Sequence, residues 1–326
     1  MVPYVARWDL DKTYLRTEFG TLRDLIRTAF ERPEQKRTVP GASIHILSGS
    51  PEQLRTKLEE KLRLDGARWD TFTLKPNLRN VLRFRFRAVR DQLGYKLPAL
   101  LAARASLRIQ RSPKGDLVRE VLIGDDAESD ALVYSLYADV VAGIVRDSEL
   151  EEILVRADAY KDAIADAIRY ARIVDHGDAV GRILIHLDRN SPPSDFAPYG
   201  PLVVPFYNYL QAAFVLEEDG CLPAEAVVRV AIDLVLDHRF DGEALGRSYL
   251  DLHRRGHLKG TGALAIGRAF QTMSEVAPLP ARQEIDVMCR KLEEVARGIS
   301  RGELSAPKRD YLSLLDRHGR YRRPME

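Results

Sequence analysis

Short apolar runs alternate with helix-like segments over the first part of the chain. Four runs have the length and composition of strands, at residues 3–8, 44–47, 71–74 and 119–123. Between the first two, apolar residues at positions 22, 25, 26, 29 and 30 recur at helical spacing and predict an amphipathic crossover helix. Strands that alternate with helices are typical of βαβ units, so residues 1–147 are predicted to form an α/β domain with a doubly wound parallel sheet.

From about residue 148 the pattern changes to helical spacing. A helix is predicted near residues 148–164, and further helical stretches at 203–216, 224–236, 263–273 and 281–299. A segment rich in proline and glycine at 190–201 predicts a long loop. The pattern therefore predicts an all-α second domain over residues 148–326, whose role the sequence leaves open.

The composition is consistent with two domains and argues against several classes of protein. The 326 residues are 45% hydrophobic and 30% charged, enough for a sizeable core and two domains. A formal charge of +2 gives no bulk electrostatic case for a nucleic-acid partner. The most apolar stretch, 202–216, is too short to span a bilayer, so no integral membrane segment is expected. Two cysteines argue against a disulfide framework, and a cytoplasmic location is expected. The oligomeric state stays open.

An acidic pair follows the first predicted strand. Asp9 and Asp11 are two residues apart, so in an extended segment both carboxylates project to the same side. In open α/β sheets, ligands bind outside the carboxyl ends of the strands, where this pair is predicted to lie. Two solvated acids in a turn are the plain alternative for the pair taken alone.

A serine and a lysine supply two weaker signals. Ser48 ends the second predicted strand and precedes a glycine and a helix start, where a hydroxyl and backbone N–H groups suit phosphoryl oxygens. Lys96 precedes an apolar helical run and would offset the charge of a bound phosphate. A helix cap and a solvated lysine are the respective alternatives.

The last strand of the first half runs into a second acidic group. Gly124 is followed by Asp125, Asp126 and, after a short gap, Asp130. Carboxylate oxygens at a strand end are ligands that Mg²⁺ prefers. One of these acids is also suited to cap the helix that follows. The sequence leaves open whether Asp126 or Asp130 lies closer to the site.

The order of these motifs along the chain resembles that of haloacid dehalogenase-like phosphatases. The series is Asp9-x-Asp11-x-Thr13, then Ser48, then Lys96, then Gly124-Asp125 with Asp130. The run Ser-Gly-Ser-Pro from Ser48 further resembles the phosphatidate phosphatase-like branch associated with actin-patch proteins. The resemblance covers about residues 4–145 and implies a Rossmann-like, haloacid dehalogenase-like fold for the first domain.

The resemblance also implies roles for these residues. Asp9 is expected to be the nucleophile that takes the phosphoryl group, and Asp11 to act as general acid and then base. Ser48 and Lys96 are expected to bind the phosphoryl group.

The resemblance further implies Mg²⁺ as cofactor. The ion is expected to be held by Asp9, the backbone carbonyl of Asp11 and Asp125, with Asp130 in support. Without a metal ion, the clustered carboxylates and a phosphate would repel one another.

The function implied is that of a magnesium-dependent phosphohydrolase that cleaves a phosphomonoester through an aspartyl-phosphate intermediate. The substrate expected is phosphatidate or another bulky phosphoester, such as a phosphoprotein. Two alternatives stay open. One is a catalytically silent phosphatase-like scaffold with a helical interaction module; the other is an aspartyl phosphotransferase whose acceptor is not water.

Two motifs lie in the second half. The run Lys259-Gly260-Thr261-Gly262 predicts either an anion-binding backbone nest or a plain loop between helices. His253 and His257 are four residues apart, but no catalytic acid lies between them. They are predicted to be surface histidines.

Overall fold

A parallel sheet of six strands forms the centre of the molecule. The computed structural model describes residues 4–9, 31–32, 37–38, 42–51, 55–64, 69–75, 89–107, 111–112, 115–127, 129–275 and 277–320. In chain order the strands are β1 (Tyr4–Asp9), β2 (Glu31–Arg32), β3 (Arg37–Thr38), β4 (Ala42–Pro51), β5 (Thr71–Lys75), β6 (Arg119–Asp125), β7 (Val180–His186) and β8 (Val203–Phe206). The sheet order is β5-β4-β1-β6-β7-β8, with all neighbours parallel, and β2 pairs separately with β3.

Helices cover both faces of this sheet. In chain order they are α1 (Arg55–Leu64), α2 (Val89–Ala105), α3 (Asp130–Ala142), α4 (Asp147–Arg156), α5 (Lys161–Ala171), α6 (Tyr209–Glu218), α7 (Ala224–His238), α8 (Gly242–Arg254), α9 (Ala263–Met273), α10 (Leu279–Ala296) and α11 (Tyr311–Arg320). Apolar side chains of α2 to α5 and α11 form one buried cluster with the sheet, and those of α1 and α6 to α10 form another. The molecule is therefore an α/β protein in which the sheet separates two hydrophobic cores.

Strand β1 lies inside the sheet, between β4 and β6, and all six of its residues are buried. Tyr4, Ala6 and Trp8 contribute to the cluster formed with α1 and α6 to α10. Because side chains alternate along a strand, Arg7 and Asp9 project to the other face, toward α2 and α3. The strand therefore presents two ionisable side chains to a buried layer.

The strands predicted in the first half are confirmed, with boundaries that differ by at most four residues. The helices predicted at 224–236, 263–273 and 281–299 also form, whereas the single helix predicted near 148–164 is two helices, α4 and α5, separated by residues 157–160. The predicted crossover helix at 22–30 lies outside the described residues. None of the described helices combines the length and apolar content that a bilayer span requires.

The prediction that residues 148–326 are all-α is wrong, because β7 and β8 extend the same sheet from the second half of the chain. The stretch predicted as one helix at 203–216 is a strand followed by α6, which begins after Asn208, whose side chain caps the Gln211 N–H. The loop predicted at 190–201 contains a short 3₁₀-helix, Pro193–Tyr199. Both buried clusters draw residues from each side of position 147. The division into two domains at that position stays a prediction.

Candidate active site

The carboxyl ends of β1, β4 and β6 meet at one edge of the sheet. Asp9 is the last residue of β1, and its register partner on β4 is Leu47, which directly precedes Ser48. On the other side Trp8 pairs with Ile123, so Asp9 lies level with the end of β6. Parallel pairing alone thus brings together residues that the sequence separates by more than a hundred positions.

Lys96 joins Asp9 to Asp130 in a buried ion-pair group. Its Nζ contacts Asp9 Oδ2, and lies 2.6 Å from Asp130 Oδ1. The side chains of all three residues are at most 2% exposed. Two carboxylates thus share one ammonium. Because burial weakens solvent screening, these three side chains interact strongly with one another and with any charge brought close to them.

Helix α2 holds Lys96 in this position. Leu93 and Leu100, three and four residues from Lys96, lie on the same helical face, and both pack with Leu97 into the core between sheet and helices. The lysine stem is therefore fixed by packing while its ammonium faces two acids. The plain alternative of a solvated lysine is wrong for Lys96, which is 1% exposed.

Asp130, the first residue of α3, connects Lys96 to the end of β6. Its Oδ2 accepts a hydrogen bond of 3.1 Å from the Asp125 N–H, and its position at a helix N-terminus favours the charged carboxylate. Gly124 allows this close approach, because a Cβ there would lie 2.3 Å from Asp130 Oδ2. The glycine of the motif is thus required by packing against Asp130.

The Asp126 carboxylate has different partners from that of Asp130. Its carboxylate accepts hydrogen bonds from the backbone N–H groups of Arg189, at 2.8 Å, and Ser191, at 3.1 Å. It therefore ties the loop after β6 to the loop after β7. Of the two acids between which the sequence left the choice open, Asp130 lies beside Lys96 and Asp126 faces the neighbouring loop.

The remaining predicted residues are Ser48 and Asp11. Ser48 is fully buried near the end of β4, and the Tyr95 hydroxyl donates a hydrogen bond of 3.2 Å to its backbone carbonyl. Tyr95 precedes Lys96, so α2 contacts both β4 and β1 at this edge. Asp11 lies outside the described residues.

The carboxylate oxygens at this edge of the sheet are of the kind that bind a hard cation such as Mg²⁺. Asp9 and Asp125 offer carboxylate oxygens, while both oxygens of Asp130 already accept contacts, from Lys96 and from the Asp125 N–H. Asp130 would thus orient its neighbours rather than bind an ion itself. Among the residues that the structure describes, no group of three or more His, Cys, Asp or Glu side chains is arranged around a single ion position.

A second buried ionic group lies further along β1, around Arg7 and Glu120. Sequence reasoning missed this group. Glu120 Oε1 accepts from Arg7 Nη2 at 2.6 Å and lies 3.3 Å from Arg104 Nη1, and Tyr137 donates its hydroxyl hydrogen to Glu120 Oε2. Burial opposes ionisation of Glu120, but the charges of Arg7 and Arg104 outweigh it and hold its pKa below the usual range. A charged residue within each strand run was the available signal, because such residues need a buried partner.

This second group repeats the elements of the first. Arg7 lies two residues from Asp9 on β1, Arg104 eight residues from Lys96 on α2, and Tyr137 seven residues from Asp130 on α3. A spacing of seven or eight residues is about two helical turns, or about 11 Å along the axis. The Arg7–Glu120–Arg104–Tyr137 group therefore clamps the same strand and helices that carry the candidate site.

Residues of the second half form one wall of the site, which sequence reasoning also missed. His186, the last residue of β7, is the register partner of Asp125, and its ring stacks on Tyr209 at 5.1 Å between centroids. Burial lowers the pKa of His186, so the imidazole is neutral at pH 7. Burial also raises the pKa of Tyr209, and the charges of Asp125 and Asp188 raise it further. The phenol therefore faces the acidic edge of the sheet.

Comparison with known proteins adds no relative. No protein-family model, curated protein or solved structure matches the chain. The fold and site define the class that can be stated: an α/β protein with a six-stranded parallel sheet and a buried, acid-rich group at the carboxyl end of a central strand.

Proposed function

We propose that the protein is a magnesium-dependent phosphohydrolase that cleaves a phosphomonoester through an aspartyl-phosphate on Asp9. One observation carries the proposal: the carboxylate of Asp9 ends the central strand and is paired with buried Lys96, beside Asp130 and Asp125. The motif order that resembles haloacid dehalogenase-like phosphatases supports the same reading.

Asp9 would act as the nucleophile. One of its oxygens attacks phosphorus in line with the ester oxygen, the P–O bond to the alcohol breaks, and water then hydrolyses the acyl phosphate to regenerate the carboxylate. Asp11 would give its proton to the leaving alcohol and afterwards accept one from the attacking water. Two displacements of moderate difficulty thereby replace one difficult hydrolysis.

Lys96 would supply charge neutralisation. Its ammonium contacts Asp9 and is held by Asp130, so it lies beside the oxygen that bonds to phosphorus. Positioning and neutralisation are the main contributions to phosphoryl transfer. Asp9 and Asp125 would hold Mg²⁺, which would supply positive charge to polarise the phosphoryl group. The Asp130 carboxylate would keep Lys96 and the Asp125 backbone in place.

The test is phosphate release by the purified full chain, with and without Mg²⁺. The substrate panel contains phosphatidate in mixed micelles, a phosphopeptide, a nucleotide and a sugar phosphate, because the expected substrate is a bulky phosphoester. We expect magnesium-dependent release, loss of at least about 10³-fold in Asp9→Asn, and an unchanged circular dichroism spectrum of that variant.

Asp126→Asn is the matched control, since it changes the neighbouring acid whose carboxylate faces the loop after β7. Its turnover should stay within a few-fold of wild type, while Asp125→Asn loses most of it. Equal activity of Asp9→Asn and wild type, or no release from any panel member by correctly folded protein, contradicts the proposal.

A further inference from the structure

The C-terminal end of α6 carries two acidic residues that meet the loop before α9. Glu218 Oε1 accepts hydrogen bonds from the Lys259 N–H at 2.7 Å and from the Thr261 hydroxyl at 2.9 Å. The anion-binding nest predicted at residues 259–262 therefore holds a carboxylate of the chain itself. This occupies one oxygen of Glu218 and leaves its other oxygen for a different contact.

Three buried oxygens at this place have no hydrogen-bond partner among the described residues: Glu217 Oε2, Glu218 Oε2 and the Tyr249 hydroxyl. Tyr249 is 1% exposed. Two nearby arginines pair with other acids, Arg182 with Asp219 and Arg255 with Asp251. A buried carboxylate oxygen without a partner raises the free energy of the folded state. A ligand that supplies positive charge would therefore stabilise this cluster.

The three groups lie beside the same segment of the chain: Glu217 Oε2 approaches Gly262, Glu218 Oε1 accepts from Lys259 and Thr261, and Tyr249 lies near Ala263. Burial raises the pKa of Glu217 to about 7, and the charges of Glu218 and Glu225 act in the same direction. Burial also raises the pKa of Tyr249, with the charges of both glutamates next in effect. A contact with the backbone of Ala263 lowers that pKa in turn. The hydroxyl therefore points at the start of α9, where both glutamates end.

Gly262 fixes how closely Glu217 approaches. A Cβ at this glycine would lie 2.1 Å from Glu217 Oε2, so the carboxylate occupies the space that a side chain would fill. The glycine has φ −72° and ψ −23°, a conformation that alanine adopts without strain. Glycine at position 262 is therefore needed to leave room for the Glu217 carboxylate, and not to allow an unusual backbone conformation.

We propose that Glu217, Glu218 and Tyr249 form a binding site for a divalent, oxygen-preferring cation of the calcium type. Two carboxylates match a double positive charge, and all three donors are hard oxygen atoms. Calcium accepts irregular geometry with water completing its shell, whereas magnesium demands a near-ideal octahedron. The ion would join α6, α8 and α9, on the sheet face opposite to α2 and α3. The site is therefore separate from the one at Asp9 and independent of the proposed phosphohydrolase activity.

The test is titration calorimetry of calcium chloride into the purified full chain at about pH 8. We expect one binding event with a dissociation constant of roughly 10⁻⁵–10⁻³ M. Glu217→Gln removes one charge and should abolish the event.

Gly262→Ala provides an independent variant that keeps every charge. Its methyl group displaces the Glu217 carboxylate, so calcium binding should weaken at least about tenfold while the circular dichroism spectrum is retained. Glu225→Gln removes an exposed charge nearby without touching the three oxygens, and should bind as wild type does. Asp9→Asn should also retain the event, which distinguishes it from cation binding at the sheet edge.

Calcium binding that survives unchanged in both Glu217→Gln and Gly262→Ala would overturn the proposal. So would the absence of any calcium-dependent heat in wild type at millimolar concentration, or loss of the event in Asp9→Asn alone.

Discussion

Lys96 is a single buried cation shared by two buried acids. If it becomes Met, Asp9 and Asp130 lose the ammonium that contacts both of them. Removal of one partner from a buried ionic group costs about 3–5 kcal/mol. We therefore expect Lys96→Met to lower the free energy of unfolding by that amount in urea titrations with a chelator present. The exposed pair Arg172–Asp147 is the control, since solvent screens its charges and Arg172→Met should destabilise the protein far less than Lys96→Met.

The double variant Lys96→Met, Asp9→Asn sharpens this test. It removes one of the two opposed charges, so part of the lost stability should return. A Lys96→Met protein as stable as wild type would show that the three side chains do not interact as an ionic group.

Sequence reasoning placed Asp9, Lys96 and Asp130 at one site because the order of their motifs along the chain resembles that of a known phosphatase family. It left Asp126 and Asp130 as alternatives, since their roles depend on where α3 begins and how it docks on β6. It described His253 and His257 as surface residues, and this was wrong. Both are buried, and His253 Nε2 lies 2.9 Å from the Ile299 carbonyl oxygen. A histidine in a polar run carries no signal of a helix that packs over it from elsewhere in the chain.

At the scale of elements, the Arg7–Glu120–Arg104–Tyr137 group holds β1, β6, α2 and α3 together. Tyr137→Phe removes the hydroxyl that donates to Glu120 but keeps the aromatic packing. One lost hydrogen bond to a buried charged group should cost about 1.5–3 kcal/mol, measured by urea denaturation. Tyr134→Phe, on the same helix, is the matched control, because its hydroxyl donates a longer hydrogen bond, of 3.4 Å, to the uncharged Ile123 carbonyl.

Glu120→Gln should be the more severe change, since it leaves two buried guanidinium groups without a counter-charge. If Tyr137→Phe destabilises no more than Tyr134→Phe, the group does not act as a clamp. The prediction concerns stability and stands whether or not the protein is a phosphohydrolase.

The strands that sequence reasoning missed share a physical cause. Val203–Phe206 is a short, fully buried apolar run, and periodicity does not distinguish such a run from part of a buried helix. In β7 the run Ile183-Leu184-Ile185 between a glycine and an aspartate was the available signal, because β-branched residues favour strands. The first-half strands were recognised because acidic motifs and turns bound them, and their partners follow from parallel pairing.

At the scale of the whole molecule, buried neutral histidines make the free energy of unfolding depend on pH. Burial lowers the pKa of His257 to about 3 and that of His45 to about 4, and nearby arginine charges act in the same direction. The unfolded chain therefore binds more protons than the folded one below about pH 6.5. Stability from these groups is present above that pH and is lost as the pH falls.

Glu217 acts with the opposite sign, since its raised pKa makes the folded state bind a proton more readily than the unfolded chain between the usual glutamate range and about pH 7. The histidines outnumber it, so we expect the free energy of unfolding to fall between pH 7 and pH 5. His257→Gln should reduce that fall by about 1–2 kcal/mol in urea titrations at the two pH values. An identical pH dependence in wild type and His257→Gln would contradict the assignment.

The continuity of the sheet across position 147 leads to a prediction about the chain as a unit. Strand β7 pairs with β6 over its full length, from Glu120 opposite Val180 to Asp125 opposite His186. In a fragment of residues 1–147, β6 would become an exposed edge, and α2 and α3 would lose the apolar cover of α4, α5 and α11. Such an edge and such an uncovered face favour aggregation over folding.

We therefore expect the 1–147 fragment to be insoluble or to lack a cooperative thermal transition, whereas the full chain unfolds in one main transition by calorimetry. The reason is that both hydrophobic clusters combine residues from the two halves, so neither half buries its apolar surface alone. A fragment that folds cooperatively, with a dispersed amide NMR spectrum, would instead support two domains with a boundary at 147. In that case β7 and β8 would extend a sheet that is already stable without them.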